Sequence, residues 1–317
     1  SHDSDGFSRW DAAQQLAVDI MQALIKDYQA GNTLELDTCL IDAYRAVLED
    51  STLDKAMVAK VLSLPTEAYL SELASEIDVD AIHHVRNYVR KAIAEALEDT
   101  LVSVYEGCQI AAEYSPDAAS IARRSLKNLC LSYLLALEEP RYLALAESQY
   151  DNADNMTDQS AALALVAHSR FHQAAKKLLG RFFEQWQNEA LVVNQWFAIQ
   201  ATNPEPGTLA AVEALMTHPA FDMKNPNKLR SLLGGFCGQN PINFHMTDGS
   251  GYRFLGDRIL ELNKQNPQVA SRMLTPLTRW RKYDAQRQQL MKDQLQRILD
   301  SGELSKDVYE VVSKSLA

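Results

Sequence analysis

The chain of 317 residues carries 31 basic and 42 acidic side chains, and its formal net charge of −11 opposes attraction to a phosphate backbone, which excludes general nucleic-acid binding. A chain of this length can fold on a hydrophobic core alone, with no disulfide or structural metal, and 12 Gly and 10 Pro leave little material for a flexible linker, so one continuous domain over 1–317 is expected. No apolar run reaches the roughly 20 residues that cross a bilayer, and the opening SHDSDGFSRW lacks the basic and apolar stretches of a targeting peptide.

Trp10, Ala13, Leu16, Ala17, Ile20, Leu24 and Tyr28 recur at intervals of three and four, the period of one helix face. Ser8 is placed to cap this helix, with Asp11 three residues on, and Gly31 to end it. Asp37 precedes Leu40, Ile41, Tyr44 and Val47, and Thr66 precedes Tyr69, Leu70, Leu73 and Ile77; both read as short capped helices. One long helix is expected from about Asp80 to Gly107, with Ile82, Val85, Val89, Ile93, Leu97, Leu101 and Val104 on its apolar stripe. Ser115, Pro116 and Asp117 read as cap, first-turn proline and first-turn acid of the next helix, which Pro140 closes.

Further amphipathic segments run over about 157–168, 171–187, 190–201, 208–218, 228–236, 251–264 and 268–299, with stops and starts such as Asn225-Pro226 and Asn266-Pro267 between them. No segment reads as a strand. The expected fold is all-α, antiparallel helix pairs repeating roughly every 35 to 45 residues in a HEAT- or armadillo-like right-handed array, with a concave face for another protein or domain. A compact multi-helix domain would leave much the same pattern. Cys39, Cys108, Cys130 and Cys237 lie far apart with no C-x-x-C pair and read as buried free thiols, the usage of a reducing, cytoplasmic compartment.

Candidate chemistry is sparse. His168 and His172 have the i, i+4 spacing of helical zinc sites, but Ser169 stands where H-E-x-x-H has its glutamate, so a solvated or packed face is expected. His83 and His84 diverge by about 100° on a helix and read as surface or packing residues. Asp248-Gly249-Ser250-Gly251-Tyr252 lacks the lysine of a phosphate loop and reads as a tight turn. Asn155-Met156-Thr157 matches a glycosylation sequon, yet Thr157 has a simpler explanation as a helix cap. Arg279, Arg281, Lys282 and Arg287, with Trp280 and Tyr283, form a local basic run that reads as an exposed helical face of an acidic protein. No G-x-S-x-G elbow or cysteine–histidine motif marks a nucleophile.

DGFSRWDAAQ at 5–14, DAYRAVLED at 42–50, NADNMTDQSAAL at 152–163, NPNKLRSLLGGF at 225–236, DGSGYRFL at 248–255 and NPQVASRMLTPLTRWRKYDAQRQ at 266–288 occur in one order along the chain. Together they resemble the C-terminal helical domain of the bacterial zinc aminopeptidase N family. In that family zinc is held by an H-E-x-x-H pair and a distant glutamate, and a G-x-M-x-N loop binds the substrate's amino terminus. Neither motif occurs in this sequence. The resemblance therefore implies a non-catalytic domain with no metal ligand or catalytic residue of its own, its zinc belonging to the full-length parent. The implied partners are the thermolysin-like catalytic domain of the same polypeptide and peptide substrates reached through a shared cavity; no nucleic acid and no membrane is implied. Arg230 in KLRSLLGGF and Arg272 in ASRMLTPL match cavity-facing, substrate-binding positions of that family, with an interhelical salt bridge as the alternative role for each. A stand-alone helical-repeat scaffold that binds a partner protein is the alternative function.

Overall fold

The computed structural model describes residues 6–109 and 114–317; the opening SHDSD, part of the stretch without a targeting peptide's pattern and holding the first residue of the 5–14 block, lies outside them. Among the described residues all regular structure is helical, and none of the helices is long and apolar enough to cross a membrane. The chain divides into two compact units, Ser1–Leu73 with Asp80–Lys176, and Ala74–Val79 with Lys177–Ala317.

The first unit contains α1 (Gly6–Gln29), α2 (Thr38–Glu49), α3 (Lys55–Leu62) and α4 (Glu67–Leu73). Local chemistry sets their ends: Asp37 accepts from Cys39 N at 2.8 Å, Thr66 accepts from Tyr69 N at 3.1 Å, and Gly31 takes φ +73° beyond α1. Ser8 is not the cap of α1, because the helix already includes Gly6. Its buried face is Ala17, Val18, Met21 and Leu24, and Tyr28 instead lies on the surface against His84.

The long helix expected over 80–107 is two, α5 (Val79–Ala96) and α6 (Glu98–Gly107), divided at Leu97 (φ −118°, ψ 17°). Neither Pro nor Gly marks the break. It sets Glu98 at the start of a new helix, where its carboxylate accepts from Arg141 and the Tyr142 hydroxyl. In α7 (Ala118–Leu135) the cap is Asp117 rather than Ser115, since its carboxylate takes both Ser120 N at 2.9 Å and Ser120 Oγ at 2.8 Å. Pro140 does not close α7. It opens α8 (Pro140–Asn152), where a missing N–H costs nothing. Asn155, not Thr157, caps α9 (Met156–Ala167) by accepting from Asp158 N at 2.9 Å.

The core of this unit is formed where α7 packs on α3 and α6, and α8 on α9. A buried polar network crosses it. Lys127 Nζ lies 2.6 Å from Asp158 Oδ2, Asn128 donates to the same carboxylate at 3.0 Å, and Tyr105 donates to Gln149 Oε1 at 3.0 Å. The Tyr133 hydroxyl donates to Leu62 O at 2.6 Å. Each group is paired where burial would otherwise penalise it.

The chain enters the second unit within α10 (His172–Trp186), followed by α11 (Ala190–Ala201) and α12 (Thr208–Leu215). Residues 226–239 form α13 (Pro226–Leu229), a π-turn over Arg230–Gly234 and α14 (Gly235–Gln239). The short α15 (Pro241–Phe244) and the longer α16 (Ser250–Gln265) come next. The single helix expected over 268–299 is instead α17 (Pro267–Met273), α18 (Thr275–Thr278), a 3₁₀ turn at Trp280–Lys282 and α19 (Ala285–Leu299). Pro276 explains the first interruption: it has no N–H to donate, and its ring would meet the carbonyl of Arg272 in a continuous helix. Asp284 explains the second by capping α19 through Arg287 N at 2.9 Å. The final α20 (Lys306–Leu316) packs on α17 and α19.

Phe236 meets Phe244 and Phe254 edge-on at 6.1 and 5.7 Å in the centre of this unit. Ile77 N donates to Lys282 O at 2.7 Å, which places residues 74–79 here although α4 and most of α5 belong to the first unit.

Candidate functional site

Two interrupted helices build a pocket of about 370 Å³ in the second unit. On one side, Asn225 caps α13 by accepting from Asn227 N at 3.0 Å, and Pro226 opens the helix. Leu229, Leu232 and Leu233 are buried, while the wider π-turn leaves Arg230 exposed. The segment comes close to α11: a Cβ on Gly235 would stand 3.1 Å from Ala201 Cβ. On the other side, Asn266 caps α17 through Val269 N at 3.2 Å, Ala270 is buried, and Arg272 is exposed in the last turn. The Arg272 carbonyl, released by the break at Pro276, accepts from Thr275 Oγ1 at 2.9 Å.

Arg230, Arg272 and Arg279 all line this pocket, and no Asp or Glu does. Among the described residues, neither the Arg230 nor the Arg272 guanidinium has a hydrogen-bond or ion-pair partner. The rest of the wall is largely apolar, with Leu229, Cys237, Val269, Met273 and Pro276. His245 and Tyr283 complete it. The His245 ring is hydrogen-bonded to Tyr252 at 2.9 Å and Tyr283 at 3.0 Å, and it stacks on Tyr283 with centroids 4.4 Å apart. Burial, with Arg287 and Arg279 nearby, pulls the pKa of His245 down to about 3. Burial also pushes the Cys237 thiol up. Both are neutral at physiological pH, so the charge of the lining comes from its arginines. Such a pocket can hold an anion with an apolar body.

The resemblance named Arg230 and Arg272; Arg279, His245 and Tyr283 were missed as pocket residues. For Arg279 the signal was Pro276, which breaks the apparent helix and removes the face on which the basic run was placed; His245 and Tyr283 had none, because packing alone brings them to the pocket. In the structure that run divides among separate roles. Arg287 is buried, donating to His245 O at 2.7 Å and pairing with Asp284 at 2.9 Å. Trp280 and Tyr283 are buried as well, and Arg281 stacks on Trp280 at 4.2 Å while donating to Ser315 O.

His168 and His172 do not share a helix face: His168 ends α9 and His172 begins α10. Among the described residues no group of three or more His, Cys, Asp or Glu is arranged to hold a metal ion. His83 pairs with Glu67 at 2.8 Å, and His84 packs on Tyr28. The 248–252 loop is a turn in which Gly249 takes φ +69°, and a Cβ on Gly251 would lie 2.2 Å from Phe244 O. Of the four unpaired cysteines, Cys108, Cys130 and Cys237 are buried, but Cys39 is exposed at the start of α2, contrary to the buried reading.

The whole chain, residues 1–317, matches the family described as a domain of unknown function (DUF3458_C) with ARM repeats. It is 39% identical over 316 residues to aminopeptidase N of Escherichia coli (strain K12), covering 100% of this chain and 36% of that protein. Identity to aminopeptidase N of Haemophilus influenzae is also 39%, over 310 residues, covering 98% of this chain and 35% of the relative. Among solved structures, that of Legionella pneumophila aminopeptidase A in complex with aspartic acid aligns with a TM-score of 0.89 at 32% identity, over 99% of this chain and 37% of that one. The chain thus spans little more than a third of the length of the relatives it matches, and it matches their C-terminal part.

Proposed function

Because the chain belongs to the ARM-repeat family that forms the C-terminal part of bacterial aminopeptidase N, we propose that it acts, over its whole length, as the non-catalytic helical domain of a zinc-dependent aminopeptidase. In the full-length protein it caps the active-site cavity of a thermolysin-like catalytic domain in the same polypeptide. It limits entry to peptides and small amides, from which the catalytic domain removes amino-terminal residues. Zinc and the water it activates belong to that domain. Three buried free thiols favour a reducing compartment, the cytoplasm.

The observation that carries this reading is the pocket in which two unpartnered guanidiniums meet no carboxylate. A short peptide presents a carboxylate at the end opposite the bond to be cut. Arg230 and Arg272 hold that carboxylate, which fixes the peptide's direction in the cavity and keeps its amino end toward the chemistry. A contact made equally in the ground and transition states lowers KM and leaves kcat unchanged.

Metal analysis and an alanyl-anilide assay, run on this chain and on the full-length protein, test the division of labour. Zinc and activity are expected only with the full-length protein. One zinc bound per isolated chain and lost on His168→Ala would overturn it.

A further inference from the structure

The arginines account for only part of the pocket. Leu229, with 2% of its surface exposed, Cys237 with 4%, and the half-buried Val269, Met273 and Pro276 form an apolar wall beside them. Its volume of about 370 Å³ falls at the lower end of the range that encloses a small molecule, too little for an extended peptide. A site for inorganic anions would present more polar donors, and a site for an apolar molecule would not carry three guanidiniums.

Resting on the reading of Arg230 and Arg272 given above, we propose that this pocket binds an apolar monocarboxylate of about one residue. The carboxylate is held by Arg230 and Arg272, in the added field of Arg279, and the hydrocarbon lies on Leu229, Val269 and Met273. With His245 and Cys237 neutral, no wall group offers a charge to a cationic or zwitterionic head. Two sources share this chemistry, the C-terminal residue of a peptide with an apolar side chain and a free branched carboxylic acid. The pocket selects both for the same reason: the anion alone forfeits the apolar wall, and the hydrocarbon alone leaves Arg230 and Arg272 unpaired.

The test is calorimetric titration of the full-length protein with 4-methylpentanoate, with acetate as the anion lacking the chain and 4-methylpentylamine as the chain lacking the anion. The branched acid is expected to bind at least about tenfold tighter than either. Arg230→Ala and Arg272→Ala, both at exposed positions, are each expected to weaken it about threefold to tenfold. The same acid should raise the KM for Ala-Ala-Leu and leave the KM for an alanyl-anilide unchanged, which assigns the peptide C-terminus as a source; binding without competition assigns the free acid. Equal binding of acetate or of the amine, or no loss in either arginine variant, overturns the proposal. If those results arise while Arg272→Ala still raises the KM for peptides, the apolar site is refuted and the arginine reading stands.

Discussion

Arg230 and Arg272 line one pocket although the first lies in the π-turn of residues 226–239 and the second in the last turn of α17. The helical irregularity on each side is what brings them to the same pocket. A π-turn places Arg230 out of phase with the buried Leu229, Leu232 and Leu233, and Pro276 ends α17 just beyond Arg272. An even helix through either segment would change the direction of its arginine.

Two helical glycines in opposite surroundings should respond oppositely to alanine. A Cβ at Gly251 would meet the Phe244 carbonyl at 2.2 Å, so Gly251→Ala is expected to destabilise the protein by about 3 kcal/mol. Gly180, exposed inside α10 with open space around it, should instead gain about 0.5 to 1 kcal/mol as alanine. Urea denaturation of the two variants checks both signs.

His245 should set the acid side of the stability profile. Below its ordinary value of 6.5 the unfolded chain takes up a proton that the folded ring, at about 3, refuses. The stability it contributes is complete above pH 6.5 and is lost as pH falls toward 3, by up to about 1.4 kcal/mol per pH unit. Arg287 and Arg279 deepen the effect and Asp284 opposes it. Carboxylates with lowered values, such as Asp37, Asp248 and Asp284, act only below their ordinary 3.8. His245→Gln keeps a donor and an acceptor for Tyr252 and Tyr283 but does not titrate. Its urea midpoint should fall less between pH 6.5 and 4.5 than that of the unchanged protein, and parallel curves would refute the assignment.

Thiol chemistry should separate Cys39 from the rest. Iodoacetamide at pH 8 is expected to modify Cys39 alone, and slowly, because desolvation and the neighbouring Asp37 push its thiol up. Cys130, raised to about 12, and Cys237 are shielded by burial. Mass spectrometry of the native protein reads the outcome directly; comparable labelling of Cys237 would mean that the pocket wall opens.

Local signals were legible where one residue decides the outcome. Asp37, Thr66 and Gly31 mark helix ends because a side-chain oxygen or a glycine acts on its immediate neighbours. Competing neighbours were harder to rank: Asp117 prevails over Ser115 because one carboxylate takes both donors of Ser120. The break at Leu97 had no local mark, since its chemistry comes from Arg141 and Tyr142 on another helix. In the pocket, Arg230 and Arg272 were reachable through family resemblance alone. His245 and Tyr283 were not, because only packing brings residues 245, 252 and 283 together.

The decisive comparison is the KM of the full-length protein and of its Arg272→Ala variant on a tripeptide and on an alanyl-anilide, which has no carboxylate. Exposure of Arg272 limits the expected rise for the tripeptide to about threefold to tenfold, with kcat little changed and the anilide unaffected. Equal losses on both substrates, or an unchanged KM for the tripeptide, would contradict a pocket that holds the substrate's carboxylate.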